Sequence, residues 1–213
     1  MYQKSNYRKY YEISPTIGIL VFICLYFYSS TLYPGGSQAD MNSIGFDWVH
    51  NYWCNLMSET GINKISNPAR PFSILAMIIL CISLAIFFIQ FATKFSTGLF
   101  WKNTIRISGT LSMIFAILIF TKYHDLMTIL SSFFAVFVVA GIIRQIYKSK
   151  MTLFKISGIV CIVFLVLNNY IYYSEHFIKV LPLLQKITFA FILIWILGLN
   201  HKLIHYNSIN KTT

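Results

Sequence analysis

The chain has 213 residues, of which 57% are hydrophobic and 11% are charged, and its formal net charge is +11. A typical soluble domain is roughly 25% charged, and a soluble protein of this length could not bury so much apolar surface. The composition therefore excludes an ordinary soluble domain and predicts an integral membrane protein. The four cysteines form no CxxC pair, so neither a disulfide framework nor a zinc finger is indicated.

Six apolar stretches follow one another, each long enough to cross a bilayer as a helix. A hydrocarbon core of about 30 Å needs roughly 20 helical residues, because every backbone polar group must be satisfied within the segment. We predict one membrane domain over residues 1–213, an all-α, polytopic six-helix bundle. The expected spans are 14–33, 72–92, 103–121, 126–146, 152–173 and 180–200, and the one long connection is the outer loop 34–71.

The first span could also be a cleavable signal peptide, because a basic start precedes it and Ser37-Gln38-Ala39 follows it. Signal peptides have apolar regions of about 7–15 residues, which is shorter than this stretch. Pro34-Gly35-Gly36 also fits an ordinary helix exit. We therefore expect the first span to remain part of the protein.

Lysine and arginine are unevenly divided between the two sides of this topology. With the N-terminus inside, the outer side holds five of the seventeen, Lys64, Arg70, Lys122, Lys179 and Lys186. The inner side holds the other twelve: Lys4, Arg8, Lys9, Lys94, Lys102, Arg106, Arg144, Lys148, Lys150, Lys155, Lys202 and Lys211.

Because positive residues favour the cytoplasmic side, we expect both termini in the cytoplasm, in a bacterial inner membrane. The basic side would then face anionic headgroups. The acids are distributed the other way, since Glu12 alone is on the inner side. This distribution argues against nucleic-acid binding.

The outer loop contains a segment with helical periodicity from Asp47 to Glu59. Polar residues recur on one face and apolar residues on the other, as expected of a short amphipathic helix at the membrane surface. Gly61 would end it, and Asn67-Pro68 would begin the second span as an N-cap followed by proline. The loop either seals the outer end of the bundle or covers a site there.

Ionisable residues gather in the same outer layer. Such residues are costly at membrane depth, so they tend to pair and to mark function. His50, His124 and His176 each lie next to or near an acid and could converge there. The candidate catalytic residues are Glu59, His124 and Asp125, and the candidate metal ligands are His50, His124, His176 and Asp47. The other polar residues of the layer are Asn51, Asn55, Ser58, Glu175 and Lys186.

Three interpretations of this layer remain open. The side chains could be ordinary polar helix ends, a zinc site with an open position for water, or a proton relay based on histidine. No HExxH, Walker or GxSxG motif is present, so we expect no cofactor, with Zn²⁺ as the alternative. His201 and His205 have metal-ligand spacing, but they lie at the opposite, inner end and are expected to be interface residues. Asn168 and Asn169 are expected to bond between helices.

Four short stretches carry resemblances to two known families. Tyr33-Pro34-Gly35-Gly36, the stretch 51–55 (Asn-Tyr-Trp-Cys-Asn) and the stretch 67–71 (Asn-Pro-Ala-Arg-Pro) resemble small six-helix bacterial membrane proteins of unknown function, especially flavobacterial ones. This resemblance implies topology and a membrane location. Ser58-Glu59-Thr60-Gly61 is similar to the Ser-Asp-Thr-Gly of the DRAM-like membrane family, although the acid here is Glu and the following Pro-Glu is absent. That similarity suggests lipids and assigns no catalytic residue.

The ceramidase and adiponectin-receptor type of hydrolase combines histidines, an aspartate and a serine around zinc. This chain divides the matching residue types between its two faces. We therefore expect a membrane protein, more plausibly not an enzyme, whose outer face meets a lipid or a membrane partner, including a second copy of the chain. The alternatives are a metal-dependent lipid hydrolase using the outer His, Asp and Glu residues, and a small transporter subunit.

Overall fold

The computed structural model describes residues 2–95, 98–147 and 151–209, with side chains for residues 9–95, 98–147 and 151–205. Lys148, Lys150 and Lys211 lie outside the described residues, and the side chains of Lys4 and Arg8 are not described. Within the described ranges the chain forms six α-helices: α1 (Tyr2–Thr31), α2 (Arg70–Phe95), α3 (Leu99–Ile117), α4 (His124–Ile146), α5 (Thr152–Ser174) and α6 (Leu181–Ile209). All six are long and apolar enough to cross a membrane.

The six predicted spans are therefore confirmed, and the observed helices differ from them mainly at their ends. Each helix packs against the next one along the chain, and α6 returns to pack against α1. The second helix also contacts α4 and α6. The largest buried side chains include Phe22, Phe87, Phe91 and Ile196 where α1, α2 and α6 meet, and Ile105 and Ile142 between α3 and α4.

Two ends of the bundle can be distinguished by what is attached to them. The loop end holds the C-termini of α1, α3 and α5, the N-termini of α2, α4 and α6, and the connection between α1 and α2. The terminal end holds the beginning of α1 and the end of α6. Asn200 of α6 donates a hydrogen bond to Thr16 of α1 across 2.9 Å, which places these two segments side by side.

The connection from α1 to α2 folds into a compact structure that we call the cap, residues 34–69. It starts with Gly35 and Gly36, whose φ angles of 124° and 81° are unfavourable for other residues. A Cβ atom at either position would also collide with the backbone, at Ser43 and at Asn63 respectively. This turn directs the chain back over the loop end of the bundle.

The expected helix from Asp47 to Glu59 is replaced by a turn and a short 3-10 helix, Trp53–Met57. Side chains of the loop and of a neighbouring helix accept hydrogen bonds from the backbone N–H groups that such a helix would use for its own bonds. The Asp47 carboxylate accepts the N–H groups of Val49 and His50 at 2.9 and 3.1 Å. The N–H of Trp53 is directed to the Gln185 side chain on α6, 3.2 Å away. Periodicity alone therefore overestimated the length of this helix.

Asn67 has the predicted capping role and a second role in the loop. Its side-chain carbonyl accepts the N–H of Ala69 at 3.1 Å, just before α2 begins at Arg70. Its amide donates to the carbonyls of Asn55, Leu56 and Ser58, between 3.0 and 3.3 Å away. One asparagine thus starts α2 and fastens the 3-10 helix to it.

Candidate functional site

The cap is fixed to the bundle by buried polar side chains. Asn51 is fully buried; its amide donates to the Gly36 carbonyl at 2.9 Å, and its side-chain oxygen accepts the N–H of Asp47 at 2.8 Å. Lys186 of α6 is 9% exposed and donates to the carbonyls of Asn51 and Pro182. Lys186, one of the polar residues expected in the outer layer, thus donates to backbone carbonyls beneath the cap.

Trp53 inserts from the cap between α1 and α6. Its ring stacks on Tyr26 and lies against Phe22 and Phe189, with ring centroids between 4.6 and 5.9 Å apart. The Tyr26 hydroxyl donates to the Trp53 carbonyl at 3.1 Å. Together with Lys186, this aromatic cluster closes the loop end over α1 and α6, as the sealing interpretation of the loop expects.

His50 and Asp47 form a local pair in the cap. The His50 Nδ1 atom lies 2.8 Å from the Asp47 carboxylate. Partial burial raises the pKa of Asp47, but the hydrogen bonds from His50 and from the backbone N–H groups of Val49 and His50 outweigh it. The net result is an Asp47 pKa below its usual value. The pair stabilises the turn that replaces the expected helix.

His124 and Asp125 form a second pair, at the start of α4. The His124 Nδ1 atom is 3.0 Å from the Asp125 carboxylate, and the same carboxylate oxygen accepts the Tyr172 hydroxyl of α5 at 2.6 Å. Tyr172 in turn contacts the ring of Tyr173 edge to face, with centroids 5.1 Å apart. Tyr172 was not among the expected site residues, because a tyrosine at a helix end is usually an interface residue.

The remaining outer candidates are dispersed. Glu59 is exposed and pairs with Arg70 at 3.2 Å, and the exposed His176 is bonded through Nδ1 to the Ser174 carbonyl at 2.9 Å. Glu175 is exposed at the left-handed end of α5. Across the described residues no three His, Cys, Asp or Glu side chains are grouped to hold a metal ion. His50, His124 and His176 thus do not converge as the zinc hypothesis requires.

A cleft of about 320 Å³ opens at the loop end between the cap and the α3–α4 turn. Its walls include Cys54, Asn55 and Ser58 from the cap and Phe120, Thr121 and His124 from the turn. The side-chain oxygen of Asn55 is buried and has no hydrogen-bond partner among the described residues. Burial raises the pKa of the Cys54 thiol to about 11, so this cysteine is not a reactive thiolate at neutral pH.

A groove of about 620 Å³ separates α4 from α5 in the half of the bundle nearest the loop end. Toward the terminal end these helices approach closely, since a Cβ atom at Gly158 would meet Ile143 at 2.8 Å. The apolar walls of the groove include Phe133, Val136, Leu165, Val166 and Tyr170, and its polar residues include Ser132, Asn169 and Ser174.

The two asparagines of α5 have different partners. Asn168 donates across the helix interface to Thr188 of α6 at 2.7 Å, as expected. Asn169, which lines the groove, donates instead to the Leu165 carbonyl of its own helix at 2.8 Å. The expected interhelical bond is therefore made by Asn168 and not by Asn169. The groove therefore has a polar side chain at membrane depth.

A series of side-chain contacts joins the groove to the cleft. His124 lines the cleft, Asp125 bonds both His124 and Tyr172, and Tyr172 contacts Tyr173, which lines the groove. This sequence of contacts crosses from α4 to α5 at the loop end. The candidate site thus comprises an apolar groove within the membrane and a more polar cleft at its surface.

The terminal end contains a buried ion pair that the sequence reasoning missed. Lys94 of α2 lies 2.9 Å from the Glu12 carboxylate of α1, and the two side chains are 14% and 10% exposed. Gln90 and Asn200 donate to the carbonyls of Tyr11 and Glu12 next to it. The detectable clue was a single acid on an otherwise basic side. His201 and His205 are exposed nearby, with ring centroids 4.2 Å apart.

Comparison of the chain with protein-family models, with curated proteins and with solved structures found no match. The six spanning helices establish a multi-pass architecture typical of integral membrane proteins.

Proposed function

We propose that this membrane protein binds a lipid at its loop end, with an acyl chain in the α4–α5 groove and the headgroup beside the cleft. The observation that carries the proposal is the connection between the two cavities through His124, Asp125, Tyr172 and Tyr173. A bilayer lipid has the same two-part form, an apolar chain followed by a polar headgroup. The apolar part of the site lies within the spans and the polar part at their end.

The chemistry of the groove supports a lipid whose binding depends on polar contacts. A chain that moves from the bilayer into the groove leaves one apolar environment for another, so the hydrophobic effect favours neither location. Preference must come from packing and from polar atoms. The polar residues that line the groove include Ser132 and Asn169, which are partners for a lipid ester or hydroxyl group.

The proposal includes an orientation with the terminal end in the cytoplasm. Among residues with described side chains, the basic residues of that end are Lys9, Lys94, Lys102, Arg106, Arg144, Lys155 and Lys202, and Glu12 is the acid. Such an excess favours the cytoplasmic side and contact with anionic headgroups. The groove and the cleft would then serve the outer leaflet.

Two valines on α5 allow a matched test. Val166 lines the groove, Val163 is one turn away, and both side chains are 56% exposed. A Val166→Trp substitution should fill the groove, whereas Val163→Trp adds the same bulk on the lipid-facing surface. We expect native mass spectrometry after mild detergent extraction to show a retained lipid in the wild type and in Val163→Trp. Retention should fall about tenfold in Val166→Trp.

A second readout locates the lipid. A phospholipid with a photoreactive acyl chain should label peptides from α4 and α5 around Phe133 and Leu165, and the Val166→Trp substitution should abolish that labelling. Thermal unfolding of each variant controls for damage to the fold. Equal lipid retention in the two tryptophan variants, or no retained lipid in the folded wild type, would overturn the proposal.

A further inference from the structure

Two cationic side chains lie at the terminal end of the interface between α4 and α5. Ile143 of α4 packs against Gly158 of α5, where an added Cβ atom would meet it at 2.8 Å. From this contact, Arg144 is one residue and Lys155 three residues nearer the terminal end. Their backbones therefore differ in height by about 3 Å, at a rise of about 1.5 Å per residue. Arg144 is exposed and Lys155 is half-buried.

An aromatic side chain connects the two cations. Tyr147 follows Arg144 by three residues and continues the helix at the end of α4, so the two side chains share a face of that helix. The Lys155 ammonium group lies 5.8 Å from the centroid of the Tyr147 ring, within the range of a cation–π contact. Tyr147 is 65% exposed. The three residues Arg144, Tyr147 and Lys155 thus form one accessible surface, which we call the basic site.

Neighbouring acids do not neutralise the basic site. All six acids of the chain fall within the described ranges. Five of them are at the loop end, and Glu12 is paired with Lys94 at 2.9 Å on α1 and α2. Among the residues with described side chains, no acid pairs with Arg144 or Lys155. Because like charges on adjacent helices repel, an anion bound between the two cations would stabilise both.

Apolar side chains continue from the basic site toward the middle of the bundle. Phe137 precedes Arg144 by seven residues on α4 and is 45% exposed. Ile159 follows Lys155 by four residues on α5 and is 54% exposed. Residues at these spacings share a helix face. Since both helices are long and apolar enough to cross a membrane, this surface suits an anion that carries acyl chains.

We infer that the basic site binds the headgroup of a net-anionic phospholipid, with the acyl chains along Phe137 and Ile159. The Arg144 guanidinium matches the geometry of a phosphate group, Lys155 adds a second positive charge, and the Tyr147 hydroxyl is a hydrogen-bond donor. Basic pockets between membrane helices commonly bind anionic headgroups. The basic site and the groove are at opposite ends of α4 and α5, so this inference does not rest on the lipid proposed for the groove.

The test compares two lipids that share their acyl chains and the phosphate diester. Phosphatidylglycerol is net anionic, whereas phosphatidylcholine carries a compensating positive charge. The purified full-length protein is placed in nanodiscs with equal amounts of both lipids, and the retained lipids are counted by native mass spectrometry. We expect phosphatidylglycerol to be enriched about fivefold or more, since each cation at a membrane surface favours an anionic lipid by about fivefold.

Substitutions in the basic site identify the contact. Arg144→Gln/Lys155→Gln should bring the ratio of the two lipids to within about twofold of equality, because both positive charges are lost. Arg144→Lys/Lys155→Arg exchanges the cations without changing the net charge. This exchange should keep most of the enrichment, and it controls for any effect of the glutamine variant on the fold.

A matched double variant on α3 tests whether the position of the charges matters. Lys102→Gln/Arg106→Gln removes the same two residue types at the same end, again an exposed arginine and a half-buried lysine. Gly109, three residues after Arg106, packs against Phe88 of α2, so these two cations lie on the side of α3 nearer α2. We expect the enrichment to persist at about threefold or more in this variant.

Three outcomes would overturn the inference. They are no enrichment in the folded wild type, an equal loss in the two glutamine variants, and displacement of phosphatidylglycerol by inorganic phosphate at constant ionic strength. The last would identify a soluble phosphate as the ligand. The groove substitution Val166→Trp should leave the enrichment unchanged. Enrichment without groove labelling would remove the proposed function alone, and groove labelling without enrichment would remove this inference alone.

Discussion

The two halves of the bundle differ in how tightly their helices are held. In the most apolar stretches of α1, α2 and α6, 33%, 44% and 39% of residues are buried, against 22%, 22% and 17% in α3, α4 and α5. The first half also carries the cap, the Trp53 cluster and the Glu12–Lys94 pair. The second half contains the groove between α4 and α5. One half thus serves as a rigid frame, and the other offers space to a ligand.

Polar side chains bond across elements in both halves. In the tight half, Lys186, Asn51 and Asn200 are buried and do so. In the open half, Asn168 and Tyr172 bond neighbouring helices, whereas Asn169 bonds its own helix beside the groove. Open packing is a usual property of binding regions, so the lower burial of α4 and α5 supports a site between them.

The largest expected effect is the loss of unfolding free energy when the ion pair of the tight half is broken. Lys94→Met removes a cation that lies 2.9 Å from the Glu12 carboxylate, which is 10% exposed, and removing one partner of a buried pair typically costs about 3–5 kcal/mol. We expect the free energy of unfolding in mixed micelles to fall by about 3 kcal/mol. The double variant Lys94→Met/Glu12→Gln should recover part of this loss.

The control for this prediction lies in the open half. Lys155→Met removes a partly buried lysine that lies near the Tyr147 ring, 5.8 Å from its centroid, and should lower the unfolding free energy by less than about 1 kcal/mol. Equal losses at Lys94 and Lys155 would show that the two halves are not held differently.

A smaller effect is expected in the cap. Asn51→Ala removes the bond to the Gly36 carbonyl and the acceptor of the Asp47 N–H, and unsatisfied buried groups cost about 1–3 kcal/mol. We expect the unfolding free energy to fall by about 2 kcal/mol, and protease cleavage within the cap to become faster. Asn42→Ala, at an exposed position of the same loop, should change neither. An Asn51→Ala variant with unchanged unfolding free energy and unchanged protease cleavage would mean that the cap is not part of the rigid frame.

The helical framework was predictable because hydrophobic length is a strong physical constraint in a bilayer. All six spans were located, and Asn67 was correctly assigned as the residue that starts α2. The cap was harder to predict. The period of 47–59 suggests a helix, but the side chains of Asp47 and Asn51 accept backbone N–H groups locally, and Gln185 does so from a helix more than a hundred residues away.

The sequence reasoning selected the outer layer, and in that layer the structure brings His124 next to Asp125, which also bonds Tyr172. Their partner Tyr172 could not be inferred, because the pairing depends on how α4 and α5 are rotated toward each other. The pairing of Glu12 with Lys94 at the terminal end was not inferred either, because it depends on how α1 and α2 pack. Sequence distance carries no information about such contacts between helix ends.

The smallest expected effect is on the reactivity of the Cys54 thiol, which lies on the boundary between the two halves. Burial raises the pKa of its thiol to about 11, so the reactive thiolate is scarce at neutral pH and its fraction grows about tenfold per pH unit up to that value. Cys24, Cys81 and Cys161 lie within the spans, so a membrane-impermeant maleimide should report on Cys54.

We expect the labelling rate of Cys54, corrected for the hydrolysis of the reagent, to rise between pH 8 and pH 10 without levelling off. A rate that reaches a plateau near pH 9 would indicate an ordinary exposed thiol, and hence a cap that opens freely. Because Cys54 lines the cleft, a lipid headgroup bound there should slow labelling about 3-fold or more at every pH. The same reaction thus reports both on the closure of the cap and on occupancy of the cleft, where the rigid half meets the open one.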